Sequence, residues 1–372
     1  MATIFFGNAN LPWISPLCDE LDKISFTVRI TILVRLKLNA LSEIFSYWLK
    51  RNSNKIQNWY YPPGFNSIFN LFFRTLISKR LKNVVKEVTK QTGESPYVFV
   101  SDVSLSKYLK ATNHYNVVYL VYDLYPEDKI SIQNHQYLIR ISGTVLCSSI
   151  ELTEKIKFEN PDHSGKIIYF PHGSNSEFLN KELYKEPVEN YVVVNGYLTA
   201  RYNWNMIYDV IKAVPEIKFL FVGNLVLSDF NKSRESWLPI VEKLIKLPNV
   251  NHISNLHHHE TVNYYWASTM VWLPYDLNIE FNRYSCPLKI MDGLCSGRSV
   301  ISTGISESKK HKEYITICDD AISTIERIRS ILKDKNLPES RHFAERQLDY
   351  ALNNSWELRA TQYLNILNKH KL

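Results

Sequence analysis

The most specific chemistry in this 372-residue sequence sits on two residues one helical turn apart. Lys289 and Asp292 lie in PLKIMDGLCSGRSV (Pro287 to Val300), which reads as a helix opening after a proline and turning at Gly297 into the strand SVIST. A lysine at the start of a helix sets a cation beside free backbone N–H groups, and both favour a nucleoside diphosphate at that end. Asp292, three residues on, falls on the same face and is placed to accept hydrogen bonds from ribose hydroxyls. The bland reading of the same residues is an amphipathic helix with its charges in water, so the neighbouring segments carry the decision.

A second carboxylate, Asp123, ends the apolar run NVVYLVYD, where a buried strand opens onto a loop. There it can orient or deprotonate an acceptor hydroxyl, or simply cap the following turn. Tyr122 stands beside it, and Glu127 and Asp128 follow in a segment whose Pro126 marks a loop. His257, His258 and His259 are consecutive, so they do not share a helix face, and a solvated loop is the reading we adopt over a metal site. No DxD metal-diphosphate motif stands out, and no cofactor or metal is expected.

These residues must be positioned by alternating strands and helices. TIFFG (Thr3 to Gly7), YVFVSD (Tyr97 to Asp102), NVVYLVYD (Asn116 to Asp123), GTVLCSS (Gly143 to Ser149) and KIIYFPHG (Lys166 to Gly173) read as buried parallel strands, with a long helix over about Phe65 to Gln91. A polar segment, Asn175 to Asn190, reads as a linker. The pattern then restarts with strands YVVVNG, KFLFVGN, VNHIS, MVWLPY and SVIST, separated by helices such as Trp204 to Val214 and Trp237 to Leu247. Such alternation predicts two doubly wound α/β domains facing each other across a cleft, with ligands outside the carboxyl ends of the strands.

Composition narrows the partners. With 45% apolar and 22% charged residues and a mean hydropathy of -0.23, the chain is globular rather than disordered or membrane-embedded. Its five scattered cysteines form no CxxC pair, which favours reduced thiols and a cytoplasmic protein. A net charge of +7 suits an anionic partner, and the absence of zinc-finger, RNP or helix-turn-helix signatures argues against nucleic acid. Phe65, Phe69, Phe72 and Phe73 alternate with Arg74, Lys79, Arg80, Lys82, Lys86 and Lys90, a combination suited to weak, salt-sensitive attachment to the anionic inner face of a membrane.

Taken in order, NANLPWISP, VVYLVYDLYPE, VLCSSIELTEKI, YFPHGSNSEF, VVVNGYLTARYNW, KFLFVGN, LPNVNHIS, VWLPYDLN, PLKIMDGLCSGRSVIST and NNSWELRA resemble the landmarks of bacterial GT-B glycosyltransferases of the family 4-like (group 1) kind. The resemblance runs from about Phe5 to Ala360. It implies an acceptor-binding domain over 1–185, a nucleotide-sugar domain over 186–345, and a C-terminal helix, 346–372, returning to the first domain. It further implies metal-independent, retaining sugar transfer from a nucleotide-diphosphate sugar to a saccharide or lipid-linked acceptor in surface polysaccharide synthesis. The alternative is a degenerate nucleotide-sugar-binding or partner-binding protein without turnover.

On this resemblance Gly196, Tyr197 and Arg201 follow the first strand of the donor domain, where glycine admits close approach and arginine offers a fork to phosphate oxygens. Gly223 makes a second donor-side turn. Glu280 and Asn282 fall in a polar loop over the sugar, and His172-Gly173 marks a packed or hinge position. Two departures matter. The first glutamate of the family's E-x7-E falls on Tyr284 and the second on Asp292, and the family's His-Asp is Tyr122-Asp123 here.

Overall fold

A computed structural model describes residues 1–33, 55–60, 70–109, 115–124, 128–179, 190–226, 234–334 and 338–369. The chain divides into two compact units: Met1–Ser148 with Leu152–Pro171 and Arg359–Leu372, and His172–Leu358 with Ser149–Glu151. The boundary read from the sequence, between 185 and 186, lies outside the described residues.

The first unit is built on a parallel sheet of seven strands in the order β3-β2-β1-β4-β5-β6-β7. These are β1 (Ala2–Gly7), β2 (Phe26–Leu33), β3 (Ile56–Tyr60), β4 (Tyr97–Val100), β5 (Asn116–Val121), β6 (Ser142–Cys147) and β7 (Ile167–Tyr169). The chain winds outward from β1 in one direction, then returns to add β4 on its other side. That reversal leaves a crevice at the carboxyl ends of β1 and β4, the usual ligand position in such sheets. Burial at every position of β1 fits a strand covered on both faces. Phe5 packs on Phe99 with ring centroids 4.8 Å apart, and Tyr363 of the C-terminal helix Trp356–Lys369 meets Phe99 at 6.1 Å and Phe170 at 6.4 Å. The single helix expected over 346–372 is two, Pro338–Leu352 and Trp356–Lys369, and the second, from Arg359 on, packs into the core of this unit.

Strands β2 and β3 were not among those read from the sequence. In β2 the charge of Arg29 interrupts the apolar run, and the fold neutralises it with Asp19 at 2.6 Å and Asp22 at 3.0 Å from the helix Ser15–Ile24. Of the long helix, the described residues form Asn70–Thr92; Phe65 and Phe69 lie outside the described residues.

The second unit carries six parallel strands in the order β10-β9-β8-β11-β12-β13. They are β8 (Tyr191–Asn195), β9 (Lys218–Val222), β10 (Val250–Ile253), β11 (Met270–Leu273), β12 (Ser299–Ser302) and the short β13 (Thr316–Ile317). The order reverses between β8 and β11, so the crevice falls at their carboxyl ends. Helix Trp204–Ala213 buries Trp204, Met206, Ile207, Val210 and Ile211 on one face, and Trp204 stacks on Trp237 at 5.9 Å. Part of the segment read as a linker is packed instead. Residues Ser176–Phe178 form a short helical turn and Phe178 is fully buried, because the polar residues around it supply the cap while its ring joins the core. Among the described residues no helix is long and apolar enough to cross a membrane.

Candidate functional site

In the second unit, glycine brings the ends of β8 and β9 together. Gly196 leaves β8 at φ +107, and a Cβ there would lie 2.2 Å from Lys289 Cε and 2.5 Å from its Nζ. Gly223, at φ +138, would place a Cβ 2.2 Å from the Gly196 carbonyl oxygen. Neither position accepts a side chain, and the space at Gly196 is taken by the lysine.

Lys289 lies in the first turn of the helix Leu288–Cys295, whose N-cap, Pro287, supplies no side-chain cap. Its ammonium donates to the Tyr202 hydroxyl, which in turn donates to the Asn195 carbonyl at 3.1 Å. It sits 4.8 Å from the centre of the Tyr202 ring and 5.7 Å from that of Tyr275. Burial, then the charge of Arg201, brings the lysine down to about 7, against the opposing pull of Asp292. A cation enclosed at the positive end of a helix, with a second cation near, is stabilised when an anion arrives.

Asp292 is buried one turn further along, and its Oδ2 lies 2.9 Å from His258 Nε2. Burial raises the carboxyl above its ordinary value, and the His258 contact and Lys289 pull it back. Burial likewise opposes the imidazolium of His258, but the hydrogen bond and charge of Asp292, with Glu177 near, outweigh it and the net shift is upward. The ring of His258 stacks on Phe178 at 4.7 Å. The solvated loop read for the histidine run is therefore corrected at its middle member. His258 is drawn in because a buried carboxylate needs a donor. His257 and His259 stack on each other at 5.7 Å.

The segment read as a loop over the sugar is partly helical. Glu280–Tyr284 is a short helix, and Asn282 is fully buried with its amide committed to the carbonyls of Arg201 and Asp276, both at 2.8 Å. Its Oδ1 accepts from Arg201 Nε at 2.9 Å, and the guanidinium lies over the Phe281 ring at 4.4 Å. Asn282 thus aims Arg201. Glu280 is exposed, and Tyr197 is 67% exposed beside Gly196. His172 packs near Trp356 at 6.0 Å, and Gly173 is pressed so closely that a Cβ would meet the Trp356 backbone at 2.7 Å.

At the carboxyl ends of the first unit's strands, Tyr122 and Asp123 follow β5, both half-buried. The Tyr122 carbonyl accepts from Ser148 Oγ at 2.7 Å, and burial together with Asp123 and Asp102 raises its hydroxyl to about 12. A tyrosine so raised keeps its proton and serves as a donor. Asp128 caps the helix Lys129–Ile141, accepting from the amides of Ile130 at 3.1 Å and Ser131 at 3.0 Å; Glu127 lies outside the described residues. Among the described residues no three His, Cys, Asp or Glu side chains converge on a metal position.

No protein-family model matches the chain, and no curated protein sequence does. Solved structures do. A glycosyltransferase from Rickettsia africae superimposes with a TM-score of 0.70 at 14% identity, over 99% of this chain and 98% of that one. Sucrose-phosphate synthase from Thermosynechococcus elongatus gives 0.66 at 13%, over 99% and 98%. HepE from Anabaena, in complex with UDP-glucose, gives 0.64 at 12%, over 99% and 100%. The chain has the GT-B fold.

Within this GT-B chain the structure brings Gly196, Gly223, Arg201, Lys289 and Asp292 to one end of the second sheet, with Asn282 as a support. It keeps Glu280 and Tyr197 at the surface. Tyr202 and Tyr275 escaped the sequence reading, and His258 was placed in a solvated loop rather than beside Asp292. A tyrosine that links a lysine to a strand carbonyl and a histidine 34 positions from its carboxylate leave no periodic trace.

Proposed function

We propose that the chain transfers a sugar from a nucleotide-diphosphate sugar held by the second unit to a saccharide or lipid-linked acceptor held by the first, with retention at the anomeric carbon and without a metal ion. The observation that carries this is Lys289, half-buried in the first turn of the helix Leu288–Cys295 and fitted over Gly196 at the β8/β11 crevice, one turn from the buried Asp292. Helix amides, Lys289 and the aimed Arg201 take the diphosphate, and Asp292 takes the ribose hydroxyls. The acceptor oxygen bonds to the anomeric carbon as the bond from that carbon to the phosphate oxygen breaks. Charge that builds on the departing diphosphate is met by Lys289 and the helix terminus, which performs the task a metal performs elsewhere. Asp123 accepts a hydrogen bond from the acceptor hydroxyl and orients it. The UDP-glucose complex of HepE, a protein of the same fold, supports this reading.

Surface polysaccharide assembly is the setting we propose. The basic face of Asn70–Thr92 is the element suited to an anionic membrane surface near a lipid-linked acceptor. A thermal-shift series with UDP, GDP, ADP and dTDP and their glucose conjugates tests the donor site, because a ligand held only by the native state raises Tm. One nucleotide series is expected to stabilise the protein. No stabilisation by any nucleoside diphosphate would sink the proposal, and NMR of the product anomer decides the stereochemistry.

A further inference from the structure

We propose that the first unit binds its acceptor as a neutral pyranose on an aromatic platform of Trp13 and Tyr122, edged by Asn8 and Asp102; this rests on the sugar-transfer reading above. The platform stands at the crevice the topology creates. Asn8 and Trp13 follow β1, Asp102 follows β4 and Tyr122 follows β5, so four side chains from three adjacent strand ends meet there.

The rings of Trp13 and Tyr122 lie 5.2 Å apart at 36°, and both residues are half-buried, neither core nor free surface. The indole N–H of Trp13 is enclosed and makes no hydrogen bond among the described residues, an unmet donor at the site. Asn8 Nδ2 donates to Asp102 Oδ2 at 3.3 Å, while Asp102 Oδ1 accepts from the Ser104 amide at 2.8 Å, so the carboxylate is held from two sides. A pyranose offers an apolar C–H face ringed by hydroxyls. Flat aromatic area bordered by a carboxylate, an amide and a tyrosine hydroxyl is its chemical complement.

The charges select within sugars. Those acting on the Tyr122 hydroxyl are Asp123 and Asp102, both negative. Lys107 is within electrostatic reach of Asp102, but it lies within reach of Arg74 as well and sits over the Tyr108 ring at 5.1 Å. A phosphate or uronate carboxylate on the acceptor would be placed against two carboxylates, and like charges at that range discriminate strongly. The platform therefore favours an uncharged ring.

Saturation-transfer NMR on the full chain tests this, with methyl glucoside, methyl N-acetylglucosaminide and maltose as neutral probes and a hexose phosphate and glucuronate as anionic ones. Neutral probes should receive saturation at ring C–H protons, and Trp13→Ala should weaken them roughly tenfold through lost apolar contact while Trp13→Phe keeps most of the affinity. Asp102→Asn should narrow the gap between neutral and anionic probes, which a merely structural role would not do. Circular dichroism checks each variant; if Trp13→Ala loses its native spectrum, Trp13→Phe and Asp102→Asn carry the test alone. Transfer to no neutral probe, equal or tighter binding of the anionic ones, or wild-type affinity in a folded Trp13→Ala protein would overturn the platform. Nucleoside diphosphate binding, measured on the same samples, should stay unchanged throughout. Its absence from the wild-type protein would instead overturn the sugar-transfer reading, so the two failures are distinct.

Discussion

At the ends of β1 and β8 the chain makes the same backbone move. Gly7 and Gly196 both sit at φ +107, and each has a side chain pressed into the position its own Cβ would take. In the first unit that side chain is Leu105, with Cδ1 2.2 Å from the ideal Cβ; in the second it is Lys289, with Cε at the same 2.2 Å. Around Leu105 the strand ends carry Trp13, Tyr122 and the carboxylates of Asp102 and Asp123. Around Lys289 they carry Arg201, two tyrosines and the Asp292–His258 pair. One doubly wound scaffold thus carries two different sets of charges at its strand ends, for which we propose a neutral hydroxyl-bearing ring in the first unit and a diphosphate in the second. The lesson is that topology supplies the crevice while single residues near it supply the sign.

The largest way to break this contrast is at the acidic end. Asp123→Asn should preserve the fold and the nucleoside diphosphate affinity while lowering turnover by about 10² or more, the scale of assistance by a positioned carboxylate. Steady-state kinetics with a fixed acceptor checks it. Near-normal turnover would move the role to a donor phosphate oxygen.

At the basic end, Lys289→Ala should weaken nucleoside diphosphate binding by well over tenfold, since loss of one member of an enclosed charge pair costs about 2–5 kcal/mol. Asp292→Ala should weaken nucleosides while leaving pyrophosphate affinity nearly unchanged. Calorimetric titration of both ligands into both variants separates the roles, and wild-type diphosphate affinity in folded Lys289→Ala would displace the donor site.

A smaller effect is expected at His258. His258→Phe retains a ring to stack on Phe178 but leaves Asp292 without its donor, so nucleoside affinity should fall by roughly threefold to thirtyfold, about one lost charged hydrogen bond. In the wild type the imidazolium strengthens below its folded value, which lies above 6.5, and is lost as pH rises through it. The corresponding pH dependence of nucleoside binding should vanish in the variant. If it persists, the titrating group is elsewhere.

How far these sites were legible in the sequence follows from their physics. The strands of both crevices show as apolar runs because both faces of a parallel sheet are covered, and Lys289 and Asp292 show because a helix repeats on one face. β2 was hidden by Arg29, whose charge is neutralised by a helix that precedes it in the chain. Asn282 shows in the sequence only as one polar residue among several, whereas its burial and its bonds to Arg201 and Asp276 depend on tertiary contact. His258 and Trp13 are placed by tertiary contact alone, with partners at positions 292 and 122, and no spacing rule reaches that far.

The gentlest test asks whether Lys289 strains the empty protein. In the unfolded chain this lysine keeps its proton up to about 10.5, whereas in the native protein it releases it near about 7. Between those values the unfolded state binds more protons, so this group makes stability rise with pH; below about 7 both states are protonated and its contribution to the slope disappears. Lys289→Met retains a long apolar stem without a charge to bury. The variant should melt higher at neutral pH, by roughly 2–4 °C, and its Tm should gain less than the wild type's between neutral and alkaline pH. Binding completes the argument. A diphosphate favours the charged lysine, so above pH 7 its association should take up protons in the wild type and none at this site in Lys289→Met. Titration calorimetry in buffers of different ionisation enthalpy reads that uptake. Equal uptake in both proteins, together with parallel Tm profiles, would show that the proton resides on another group and that Lys289 is an ordinary surface cation.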